Sequence, residues 1–96
     1  MHHQRPWEHP DLEPEQRVAE ANQCVYELEA LLSTQGWDIL SGHLTRSIEH
    51  ARDALELNEN DDAVNRGMIR SNRAVLSFPT SLIAEARRFI EREDNK

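Results

Sequence analysis

A chain of 96 residues with eighteen Asp and Glu, eleven Lys and Arg and a formal net charge of −7 makes one domain, in which about 60–65% of the unfolded surface can be buried. Hydrophobic residues at 38% and charged ones at 30% suffice for a helical core but not for a large enclosed catalytic cavity, so an enzyme is not expected. The acidic balance also argues against nucleic-acid binding over the whole surface, because phosphate recognition needs a basic footprint.

Residues 1–13 read as an extended arm. Pro6, Pro10 and Pro14 recur every four positions, and each holds the residue before it in β or polyproline geometry. Trp7 sits in the middle of this arm. It either folds onto its own domain or anchors the arm on a neighbouring chain, as buried aromatics do at interfaces. The second role is the one assigned to it here.

The helical domain is expected over residues 14–93, followed by a polar tail at 94–96. Asp11 suits an N-cap, with Pro14 in the first turn and Glu13 and Glu15 near the positive end of the helix dipole. Val18, Ala21, Val25, Leu28 and Leu32 then fall at spacings of three and four, a stripe widened by Cys24 and Leu31. Gly36 is a fitting C′ stop. A second helix is predicted from Trp37 or Asp38 to Leu57, with Trp37, Leu40, Leu44, Ile48, Ala51 and Leu55 on one side. The polar run Asn58–Asp62 makes a turn, so the flanking helices should be antiparallel. A third helix, from Asp62 to Ser77, offers Val64, Met68, Ile69, Val75 and Leu76, with Gly67 and Ala74 where a neighbour could approach closely. Pro79 should break or kink it. A last helix over 80–93 would bury Leu82, Ile83, Ala86, Phe89 and Ile90. No stretch shows β alternation. The expected fold is therefore all-α, an antiparallel bundle of three or four helices with an extended N-terminal arm.

Chemistry is hard to find. Asn58, Asn60 and Asp62 resemble the opening of a calcium loop, but the positions that need Gly and a carboxylate hold Ala63 and Ile69. His43 and His50, with Asp53 beyond, lie too far apart for a helical zinc pair. Nothing preorganises His2, His3 and His9. Cys24 has no basic sequence neighbour to lower its pKa, reads as a small packed residue and, being alone, fits a reducing compartment. No catalytic residue, metal or cofactor is expected. No apolar run approaches the roughly 20 residues that span a bilayer, and the polar opening lacks a signal-peptide core. A soluble, cytoplasmic protein with no membrane contact is expected.

The informative polar feature is the order of the charges. Residues 1–62 carry fourteen Asp and Glu against four Arg, a net of −10, whereas residues 63–92 carry six Arg against Glu85 and Glu91, a net of +4. Complementary parts of this kind suit folding back or meeting a second copy. Arg66, Arg70 and Arg73, spaced four and three, form a basic stripe with Arg87, Arg88 and Arg92 on the next helix. Three partners are conceivable for it: phosphate, the acidic helices of the same molecule, or the acidic face of a neighbour.

Gly36-Trp37-Asp38-Ile39-Leu40 with Leu44, then Asn65-Arg66-Gly67-Met68-Ile69 and Leu76-Ser77-Phe78-Pro79 with Leu82-Ile83, resembles small helical proteins encoded among the head and tail genes of tailed bacteriophages. The resemblance covers roughly residues 36–83 and implies a virion or assembly component in the host cytoplasm or the particle, with no catalytic residues to carry over. The expected function is a non-enzymatic structural protein that forms homo-oligomers or binds phage structural proteins, with Trp7, Arg66, Arg70 and Arg73 in its protein contacts. The rival class is a small acidic inhibitor presenting Glu20, Glu27, Glu29, Asp53 and Glu56 to a host protein.

Overall fold

The computed structural model describes residues 5–57 and 62–96. They form a short 3₁₀ turn, Pro6–Glu8, and three α-helices: α1 (Pro14–Leu32), α2 (Gln35–Glu56) and α3 (Asp62–Asp94). The fold class is all-α, with no strand among the described residues. Two compact units divide the chain. The first comprises residues 1–31 and 80–96, the second residues 32–79, so α3 contributes to both.

Local chemistry sets the helix starts. Pro14 opens α1, where its missing N–H costs nothing. In the same first turn, Gln16 Oε1 accepts from the Glu13 N–H at 2.8 Å, and the Glu13 carbonyl accepts from Arg17 N at 2.9 Å. Glu13 thus takes the capping place expected of Asp11, which lies outside the helix. Gly36 does not stop α1. It lies in the first turn of α2, whose N-cap is Thr34, with the Thr34 hydroxyl accepting from Trp37 N at 3.1 Å. A side-chain cap satisfies the orphan N–H groups there, so the glycine is not needed as a left-handed terminator.

Pro79 lies inside α3, so the expected third and fourth helices are one of 33 residues. A proline removes one i→i−4 bond, here to the Val75 carbonyl, and crowds the turn before it. Pro79 itself is buried and is followed within one turn by buried Leu82 and Ile83. Packing therefore outweighs the local penalty, and the proline falls at the boundary of the two units.

In the first unit, Trp7, Ala21, Leu82 and Ala86 form the core, with Cys24, Val25, Leu28, Phe89 and Ile90 packed against it. Ala21 and Ala86 are fully buried, and their small size lets α1 and the end of α3 lie close together. The Trp7 and Phe89 rings stack with centroids 6.0 Å apart. The described part of the arm, residues 5–13, is consequently not an extended segment. Glu8 N donates to the Arg5 carbonyl at 2.9 Å, closing the turn, and Arg5 grips Glu85 of α3 with both Nε (2.8 Å) and Nη2 (3.1 Å). An aromatic payload of about 150–250 Å² contributes roughly 4–6 kcal/mol on burial. That holds the arm on its own chain.

The core of the second unit is smaller. Ile48 and Ala51 of α2 meet Ile69 of α3, with Leu55 and Leu76 alongside. Asn65 is buried near this layer, and its Nδ2 has no hydrogen-bond partner among the described residues. Ile39, Leu40, Leu57, Val64, Met68, Val75 and Phe78 all remain exposed in this unit.

Candidate docking surface

Successive residues of an α-helix turn by 100°, so Arg66, Arg70 and Arg73 share a narrow sector on one flank of the α3 packing face. The structure brings them together with Arg52 and Leu55 of α2 and with Ile69, lining a groove of about 490 Å³. Arg52 was not expected there. Its sequence signal is its position beside Ala51 in the stripe Ile48, Ala51, Leu55, which turns its side chain toward the same helix-helix seam. Among the described residues, none of the four guanidinium groups has an ion-pair partner. Among the described residues, internal pairing is thus not what the fold uses for Arg66, Arg70 and Arg73, although Arg87 of the same stripe does pair with Glu29 of α1. Mutual repulsion between charges about 8 Å apart in water is only about 0.5 kcal/mol per pair, so the cluster is tolerated at the surface.

The opposite flank of α3 is apolar. Val64, Met68, Val75 and Phe78 follow spacings of four, seven and three, and each is exposed, Val64 to 59% and Phe78 to 51%. Gly67, Ser71 and Ala74 fill the rest of that sector, which carries no charge. A Cβ added at Gly67 would meet nothing within 4 Å. The close approach expected to require that glycine is therefore not made among the described residues.

The remaining expected site residues lie elsewhere. Trp7, 3% exposed, is sequestered in its own core, and this corrects the expectation that it anchors a neighbour. Arg87 pairs with Glu29 of α1 within the first unit, and neither it nor Arg88 or Arg92 lines the Arg groove. Glu27 accepts from Gln23 at 2.7 Å. His43 and His50 line a second hollow with Arg46, Ser47 and Met68, and the described residues contain no group of three or more His, Cys, Asp or Glu that could hold a metal. His2, His3 and residues 58–61 of the calcium-like turn lie outside the described residues. Burial pushes the Cys24 thiol pKa up, and the nearby Arg5 charge partly opposes this.

No protein-family model matches the chain, and no curated protein or solved structure matches it. Among the described residues, no helix is long and apolar enough to cross a membrane.

Proposed function

We propose that this chain is a non-enzymatic assembly protein that works by associating with further copies of itself, as a virion or morphogenesis component of a tailed bacteriophage. The phage setting rests on the sequence resemblance over residues 36–83. The assembly role rests on one observation, the exposed uncharged face of α3 formed by Val64, Met68, Val75 and Phe78. Contiguous apolar surface rimmed by polar residues marks interaction sites. A helix from a second copy, laid along this face, meets no charged residue of α3 from residue 64 to residue 78, Arg46 of α2 bordering it at Met68, and Gly67, Ser71 and Ala74 leave room for it. With Trp7 held internally, the contacts between copies pass from the arm to α3. The rival role of an acidic inhibitor is less well supported, because Glu29 is already engaged by Arg87.

Mass in solution tests the reading. The full-length chain should sediment as an oligomer, and Val75→Glu with Phe78→Glu should reduce it toward the monomer while helix content persists. An unchanged mass in that variant would remove the assembly reading from this face. Mass spectrometry of purified particles from the native source tests the virion setting, and absence of the chain from both particles and assembly intermediates would end it.

A further inference from the structure

We infer that the groove of Arg52, Arg66, Arg70 and Arg73 receives the acidic outer face of α1 from a second copy. The inference rests on the assembly reading and adds a second, charge-directed interface to it.

The first support is chemical. Four guanidinium groups without ion-pair partners among the described residues stand over Leu55 and Ile69. Such a groove fits a helix that presents carboxylates beside one apolar group, since guanidinium forks match carboxylates in two-point geometry. The outer face of α1 has that composition. Glu20 and Glu27 are exposed, and Leu31, also exposed and one turn beyond Glu27, lies in the same sector of the helix. Its side chain can cover the apolar floor.

The second support is register. Glu20 and Glu27 are seven residues apart, as are Arg66 and Arg73. Seven residues rise about 10.5 Å and return to nearly the same face of a helix, so two helices laid side by side bring both acidic residues opposite both basic ones. Exposed ion pairs are individually weak, which makes them selectors of orientation and encounter rate.

A nucleic acid fits less well. The whole chain is at −7, so a polyanion is attracted at one groove and repelled elsewhere. The groove lining contains no aromatic residue on which bases could stack. The groove and the α1 face are different surfaces, so the contact is either exchanged reciprocally by two copies or repeated from copy to copy until a ring closes.

The test uses two full-length neutral variants and sedimentation at low salt, with circular dichroism to show that each is folded. Arg66→Gln with Arg73→Gln removes the groove, and Glu20→Gln with Glu27→Gln removes the face. Each should weaken self-association about tenfold, as expected for two lost exposed pairs. An equimolar mixture keeps one matched pair of surfaces, so it should recover mass that neither variant reaches alone. A mixture no heavier than its components would overturn the inference. If both neutral variants associate like the wild type while Val75→Glu with Phe78→Glu dissociates, the charge-directed interface falls and the assembly reading stands. Binding of a fluorescent oligonucleotide by the wild type that is lost in Arg66→Gln with Arg73→Gln, with no change in protein mass, would assign the groove to nucleic acid instead.

Discussion

Trp7 and Gly67 show how far a residue's meaning depends on its surroundings. Replacing Trp7 by Ala removes the ring stacked on Phe89 and should cost about 3–5 kcal/mol, read as a large drop in melting temperature. Gly67 is the reverse case. It sits mid-helix with open space where a Cβ would be, so Gly67→Ala should raise stability by about 1 kcal/mol in thermal unfolding of dilute protein. Both residues were visible in the sequence as anomalies, a tryptophan in a proline-rich arm and a glycine inside a helical pattern. Their environments were not visible. A large ring must be covered, but periodicity cannot say by which surface, and a helical glycine is equally compatible with a tight contact and with no contact. Arg5 carries no local signal of its role, because its partner Glu85 is 80 residues away, beyond any local pattern.

At the level of elements, apolar spacing marked the faces of α1 and α2 in their central turns, while Leu31 and Leu40 of the same stripes are exposed. Ala21, Cys24, Val25 and Leu28 do face the first core, and Ile48, Ala51 and Leu55 the second. Stop signals were less readable. Gly36 and Pro79 are strong local breakers, yet a threonine cap displaced the first and burial overrode the second. Pro79→Ala weighs the two effects directly. Relief of an interior proline is worth about 3 kcal/mol, while the loss of two buried carbons costs about 1.6 kcal/mol at 0.8 each. The variant should therefore be more stable by about 1 kcal/mol, measured by chemical denaturation. A lower midpoint would mean that the ring's packing dominates the helix term.

For the molecule as a whole, the sorted charges were the clearest statement in the sequence, and the fold keeps Arg66, Arg70 and Arg73 together while adding Arg52. What one chain's pattern could not reveal is whether those arginines have acidic partners at home, since that depends on which faces meet. Their lack of ion pairs among the described residues predicts a salt-sensitive association. Raising salt from 50 to 500 mM shrinks the Debye length from about 14 Å to about 4 Å, and the sedimentation coefficient at fixed protein concentration should fall accordingly. A salt-independent value would leave the apolar face of α3 as the sole contact. The division of the chain also has a spectroscopic consequence. Trp7 belongs to the first unit and Trp37 to the second, and these are the only two tryptophans in the sequence. Trp7 is enclosed by side chains and stacked, while Trp37 is partly open to solvent. Their emission maxima should therefore differ, blue for the first and redder for the second. With Phe substituted at Trp37, fluorescence reports the first unit alone, and subtraction from the wild-type signal yields the second, so each half of the protein carries its own intrinsic dye.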